Sequence, residues 1–140
     1  MYCDYDDLKA RLAEESLIAL SDDDGDGEAD DGVIDAAIAD ADAEIDARLA
    51  PRYAVLFETA PAIVRSLSAV LAIERLYLRR RETSPEDLRD AISAARNLLG
   101  RLADGTADIR EPNLRAGRPV SDSTTRGAGR TFGTQELAAF

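Results

Sequence analysis

Apolar residues recur at helical spacing in three long stretches of the chain. In the first stretch, residues 32–50, they follow one another at intervals of four, three, four and four, which is the stripe of an amphipathic helix. The stripe consists of Ile34, Ile38, Ala41, Ile45 and Leu49. Asp30 or Asp31 can cap this helix at its start, and Pro51 ends it.

The second stretch runs from Pro61 to about Arg81 and is apolar around most of its circumference. Its large apolar residues are Ile63, Val64, Leu67, Val70, Leu71, Ile73, Leu76 and Tyr77. A helix of this kind is buried on most sides, so we predict that it lies at the centre of the fold. In the link before it, Tyr53, Leu56 and Phe57 are expected to cover the open end of the core.

The third stretch opens with a helix-start signal. Ser84 is suited to the cap, Pro85 to the first helical position, and Asp87 adds an acid three residues after the cap. Leu88, Ile92, Ala95, Leu99 and Leu102 then form a narrow apolar seam. Gly105 is a plausible stop.

Two shorter helical patterns precede the long ones. Asp4 can cap a helix over residues 5–13, and residues 14–20 add another turn or two. Strand potential is low along the chain. We therefore predict an all-α fold, a small antiparallel helical bundle or hairpin with short connections and an extended C-terminal arm.

The arm is predicted from a change of composition after about Ile109. Residues 110–133 are rich in Gly, Ser, Thr, Pro and Arg and show no periodicity, and apolar anchors return only near the end of the chain. We therefore divide the chain into a helical domain, residues 1–109, and a docking arm, residues 110–140. The arm is expected to order on a partner or a neighbouring subunit; the alternative is an arm folded back on its own bundle.

An acidic loop, residues 22–31, precedes the first long helix and holds seven acidic residues and two glycines. An EF-hand calcium loop takes oxygen ligands at alternate positions and a bidentate Glu at its twelfth position. In that register the candidate ligands are Asp22, Asp24, Asp26 and Asp30. The twelfth position is Val33, which has no side-chain oxygen. The loop is thus a weak calcium candidate; the alternative is a solvated turn whose glycines adopt positive φ.

The residue types absent from the chain restrict its chemistry. It has no histidine, which removes the commonest general base and the usual zinc ligand. Cys3 is the single cysteine, so no internal disulfide forms, and we expect it to be a partly buried apolar residue. We therefore expect no enzyme and no cofactor. Neither a membrane-spanning segment nor a secretory signal is expected, which favours synthesis in the cytoplasm.

Charge is distributed unevenly around the formal net charge of −11. Residues 1–50 have a net charge of −14 and residues 51–140 a net charge of +3. This asymmetry suits contacts between copies or with neighbours and argues against direct DNA binding. A basic cluster, residues 79–81, either complements the end of its helix or docks on an acidic neighbour.

Several segments, taken in order and spacing, carry a family resemblance. They are residues 7–12 with 15–18, the acidic loop, residues 39–50 with Arg52-Tyr53, Ala60-Pro61, and Arg130-Thr131-Phe132 followed by Leu137 and Phe140. In these the chain resembles the adaptor, or head-completion, proteins of tailed phages, in particular a family found in Mu-like prophages. Residues 110–129 do not align with that pattern.

The resemblance implies a structural role. Such connector proteins form a ring, commonly of about twelve subunits, beneath the portal of the capsid, extend the DNA channel and support a stopper or tail protein. DNA passes through without specific binding. Their arm often docks on the portal, which makes the candidate contacts Arg118, Arg126, Arg130, Phe132, Leu137 and Phe140. The expected location is the head–tail junction of a virion or a gene transfer agent, assembled in the bacterial cytoplasm.

Two other function classes are compatible with the same residues. The acidic loop would suit a calcium-binding regulatory module, and the acidic first half would suit a small inhibitor that mimics DNA. The second of these leaves the arginine-bearing arm unexplained.

Overall fold

The computed structural model describes residues 1–109, and helices are the only regular secondary structure in that range. Its elements are α1 (Tyr5–Lys9), α2 (Glu14–Ser21), α3 (Asp31–Leu49), α4 (Ala62–Arg80) and α5 (Glu86–Asp104). The predicted all-α class and the three long helices are confirmed. The first helix is shorter than predicted because the chain turns at Ala10. No helix in residues 1–109 is long and apolar enough to cross a membrane.

Helix α4 is the centre of the bundle, as its apolar circumference predicts. The buried residues of this helix are Val64, Leu67, Ser68, Ala69, Leu71, Ala72, Ile73, Leu76 and Tyr77. Helix α3 packs along α4 most extensively, α5 packs on both, and α1 and α2 pack on α4. The loop before α3 contacts the last turn of α4, while a short link joins the end of α3 to the start of α4, so the two helices are antiparallel.

The link between α3 and α4 departs from the prediction at Leu56. Tyr53 and Phe57 are buried and close the end of the core, as expected. Leu56 was expected to join them, but this is wrong: it is 75% exposed and its backbone is left-handed, with φ 66°. The reason lies in Phe57. Its N–H donates to the Tyr2 hydroxyl at 3.3 Å, and this turns the Leu56 side chain outward.

The helix caps are partly as predicted. Asp4 caps α1 in a reciprocal pair with Asp7, each carboxylate accepting from the other's backbone N–H at 3.0 Å. Asp30 occupies the cap of α3, but its carboxylate makes no bond to that helix. Ser84 was expected to cap α5, which is wrong, because Pro85 takes the cap position in an extended conformation and leaves Ser84 outside the helix.

The N-terminal residues form a strap across α3 and α4. Tyr2 donates its backbone N–H to Asp42 at 2.8 Å and its hydroxyl to Asp46 at 2.5 Å. Cys3, which was expected to be partly buried, is buried beside Ser68, and burial raises the pKa of its thiol to about 11. The thiol is therefore protonated and unreactive at neutral pH.

A four-membered ionic network joins the three long helices on the other side of the core. Arg96 of α5 contacts Glu44 of α3 at 3.1 Å and Glu74 of α4 at 2.6 Å, and Arg75 of α4 contacts Glu44 at 2.6 Å. Hydrogen bonds from Arg96 and the nearby arginine charges hold the pKa of the Glu44 carboxyl below its ordinary value, against its partial desolvation. The network therefore fixes how α5 sits on the α3–α4 pair.

Removing the central cation of this network should destabilise the bundle. Arg96→Ala leaves two half-buried carboxylates with one arginine, and we expect the free energy of unfolding to fall by about 2 kcal/mol at neutral pH in urea denaturation. Because the folded pKa of Glu44 lies below its unfolded value of about 4.3, its contribution exists above that pH and is lost as the pH falls through the folded pKa. The difference between variant and wild type should thus shrink below about pH 4.

The matched control is Arg89→Ala on the same helix. Arg89 is exposed and makes no ion pair within residues 1–109, so its loss should change the free energy of unfolding by less than about 0.5 kcal/mol. Equal destabilisation by the two substitutions would contradict a stabilising role for the network.

Candidate functional site: the acidic loop

The acidic loop is organised by hydrogen bonds from its own backbone. The Asp22 carboxylate accepts from the N–H of Gly25 at 2.7 Å and of Gly27 at 2.9 Å, and Asp24 and Asp26 each accept from the N–H two residues on. Both glycines have positive φ, 80° and 87°, as the sequence predicts. The loop is therefore a chain of turns whose aspartates are already bonded within it.

Three of the four predicted calcium ligands lie together. Side-chain oxygens of Asp22, Asp24 and Asp30 lie within 4.8 Å of one another, whereas Asp26 is not part of this group. Calcium takes roughly six to eight oxygens at about 2.3–2.6 Å. Three carboxylates could supply a minority of these, and Val33, inside the first turn of α3, supplies none. The geometry thus brings the candidates together without completing the ligand set.

The protonation of the cluster follows from the same contacts. Hydrogen bonds from the N–H groups of Gly27 and Gly25 lower the pKa of Asp22. At Asp24 the N–H of Asp26 acts to lower the pKa, but partial desolvation and the charges of Asp26 and Asp30 outweigh it, so the pKa is raised. Like charges are therefore held close on an exposed surface.

The end of α4 binds this loop through two arginines. The Asp23 carboxylate forms ion pairs with Arg79 and, at 3.2 Å, with Arg80. Arg80 also donates to the carbonyl of Leu20 at 3.2 Å and to that of Asp22 at 2.6 Å, which satisfies acceptors at the end of α2. The acidic neighbour of the basic cluster is thus in the same chain. The paired residues Arg79 and Asp23 are 56 residues apart in the sequence.

Asp30 completes the attachment of the loop at its other end. Its carboxylate accepts from the N–H of Asp23 at 2.8 Å instead of capping α3. Sequence pattern alone favours the cap, because Asp directly before a helix usually bonds the helix. Here the same oxygen closes the loop, so the two ends of the loop are held against each other and against Arg79 and Arg80.

The arrangement presents an acidic, exposed tip. Asp24, Asp26 and Glu28 are exposed and form no ion pair within residues 1–109. A surface of this kind repels nucleic acid and attracts basic partners. The six predicted partner contacts, Arg118, Arg126, Arg130, Phe132, Leu137 and Phe140, lie outside the described residues and remain predictions.

Comparison with known proteins gives one informative result. A family model described as Bacteriophage Mu, Gp36 matches residues 2–125, which include the strap, the acidic loop and all five helices of the described part. Comparison with curated proteins gives no match.

Loss of the Arg80 side chain should loosen the acidic loop without unfolding the bundle. Arg80→Ala removes the bonds to Leu20 and Asp22 and one pair with Asp23, so we expect faster amide hydrogen exchange over residues 22–30. The free energy of unfolding should fall by about 1 kcal/mol. The control Arg81→Ala removes the neighbouring arginine, which forms no hydrogen bond or ion pair with the loop in the described part of the chain, and should leave exchange in the loop unchanged. The same acceleration in both variants would contradict the assigned role of Arg80.

Proposed function

Because this chain belongs to the bacteriophage Mu Gp36 family, we propose that it is a structural subunit of a head–tail connector. In this proposal, copies of the chain form a ring that docks beneath the portal, joins it to a stopper or tail protein and extends the DNA channel. Family membership indicates a phage structural or morphogenetic role, and it is the observation that carries the proposal. The ring, its docking on the portal and its tailward partner are proposed in addition to that general role.

The charge of the described body supports a place beside a DNA channel. Residues 1–109 contain 25 acidic and 12 basic residues, a net charge of −13. A surface of the same sign as DNA lets the duplex pass without adhering. The acidic loop adds an exposed cluster of that sign at one end of the bundle. A non-specific channel, and not a DNA-binding face, fits this distribution.

The chemistry of the described residues supports a non-enzymatic role. The chain has no histidine, and the Cys3 thiol is buried with a raised pKa. The Glu44 carboxylate, whose pKa is lowered, lies in the ionic network that holds the helices together. These groups are accounted for by packing, so we propose assembly as the function of the chain.

Docking on the portal is assigned to the C-terminal arm. Residues 110–140 carry five arginines and three acids, so their charge is opposite to that of the body. The apolar anchors near the end provide a means of binding a protein groove. The proposed portal contacts are Arg118, Arg126, Arg130, Phe132, Leu137 and Phe140.

Removal of residues 118–140 should abolish ring formation on portal-bearing heads. Because residues 1–109 supply an apolar core that joins all three long helices, the truncated protein should keep its helical circular dichroism and its cooperative unfolding. Electron microscopy of heads incubated with each protein measures the ring. A matched control keeps Arg118 and residues 126–140 in place and scrambles the order of residues 119–125, and we expect it to assemble. Normal rings with the truncated protein would contradict the proposal.

A calcium-binding regulatory module is the second candidate, favoured by the convergence of Asp22, Asp24 and Asp30. Because Val33 supplies no side-chain oxygen, the calcium module is less favoured than the connector. We expect the urea midpoint to be unchanged by millimolar calcium, because the described ligand set is incomplete. A calcium-dependent rise that disappears in Asp24→Ala, and persists in the exposed control Asp40→Ala, would instead establish the calcium module.

A further inference from the structure

Leu56 is an exposed apolar side chain on a backbone that leucine rarely adopts. It is 75% exposed and has φ 66°, a left-handed conformation that is unfavourable for a bulky residue without glycine's freedom. The exposed side chain of Leu56 gains no burial energy that would offset this unfavourable backbone conformation. A conformation of this kind persists only when the surrounding structure imposes it.

The residues around Leu56 are buried and hydrogen-bonded. Phe57, directly after it, is buried, donates its N–H to the Tyr2 hydroxyl and packs edge-on against the Tyr2 ring at 5.8 Å between centroids. Tyr53, three residues before Leu56, is buried and donates its hydroxyl to Asp108 at 2.6 Å. Leu56 is therefore presented from a fixed platform, which removes much of the entropic cost of docking it into a partner.

An apolar groove of matching character lies on another face of the same bundle. It has a volume of about 280 Å³ and is formed by the α1–α2 turn, the middle of α4 and the start of α5. Its apolar lining consists of Leu12, Val70, Ile73, Pro85, Leu88 and Ala91. Arg11 and Asp87 lie at its edge. Leu56 is exposed, so it does not fill the groove of its own chain.

We propose that Leu56 of one copy inserts into the groove of the next copy. One pair of charges beside the two surfaces is complementary, Glu58 with Arg11, whereas Asp87 at the groove has the same sign as Glu58. Glu58, two residues after Leu56, is exposed, and Arg11 at the groove donates to the Ser66 hydroxyl at 2.7 Å. Neither forms an ion pair within residues 1–109, so each is available to the other across the contact.

The two surfaces differ, which determines the kind of assembly. A contact between unlike faces is heterologous, and repetition of it generates a ring when the rotation closes. The contact therefore supplies a subunit–subunit interface for the proposed connector, and its role in that ring rests on the proposed function. The contact itself needs no portal.

Mixed disulfide trapping tests the contact on the full chain. One chain carries Leu56→Cys, the other carries Leu88→Cys, and the two are mixed on portal-bearing heads and, separately, alone at high concentration. We expect a crosslinked pair only in the mixture, because a disulfide requires the two Cβ atoms to approach within about 4.5 Å. Cys3 is buried with a raised pKa and should not react, which the wild-type chain verifies. The matched control replaces the first chain by Leu78→Cys, an exposed leucine of α4 outside the groove, and should give no pair.

The substitution Leu56→Gly tests the contact between copies without destabilising the fold. Glycine suits the left-handed backbone, so the urea midpoint should stay the same or rise, while association between copies should weaken about tenfold or more. Leu78→Ser removes a comparable exposed leucine and should assemble as the wild type does. Undiminished assembly of Leu56→Gly, or absence of the mixed disulfide, would overturn the inference and leave the connector function standing.

Failure of the connector proposal has a different signature. If the Leu56→Cys and Leu88→Cys chains give the mixed disulfide when mixed alone, but the wild-type chain forms no ring on heads, the contact stands and the portal-docking role falls. A benzophenone side chain at position 56 that reacts with the portal instead of a second copy would assign Leu56 to the portal and overturn the inference.

Discussion

The structure depends on the burial of α4 on nearly all sides. Its middle residues, among them Leu71, Ala72 and Ile73, have no exposed surface, and every other helix of the described part packs on it. An isolated helix of this composition would expose a broad apolar surface, so it is stable only when its neighbours are in place. The strap at Tyr2, the apolar stripe of α3 and the apolar seam of α5 together cover the apolar surface of α4.

Arginines at the edges of α4 and α5 allow an acidic chain to close around that core. Residues 1–50 have a net charge of −14, yet their carboxylates face cations from later in the chain: Arg65 binds Asp7, Arg75 and Arg96 bind Glu44, and Arg79 and Arg80 bind Asp23. Part of the charge asymmetry read from the sequence is therefore used within one molecule. The acidic tip and the charges beside the groove are among the charges that remain for partners.

The helices could be predicted from the sequence because their apolar spacing is local information. The stripe of α3, the breadth of α4 and the glycines of the acidic loop each report on their immediate surroundings, and each prediction is confirmed. Contacts between distant residues could not be read in this way. Arg80 meets the loop 58 residues earlier, and the exposure of Leu56 is decided by the hydroxyl of Tyr2. Asp30 shows the intermediate case, because its position is local but its bonding partner is chosen by the folded loop.

The hydrogen bonds around Tyr53 also determine how mechanical force would enter the molecule. The Tyr53 hydroxyl bonds to Asp108 and accepts from the N–H of Ile109 at 3.3 Å, at the last described residue of the chain. A pull on the chain beyond that residue is therefore borne first by the α3–α4 link. The acidic loop lies at the other end of α4, about 28 Å away along a helix of 19 residues. A load applied at residue 109 therefore enters the bundle at the end that is remote from the acidic surface.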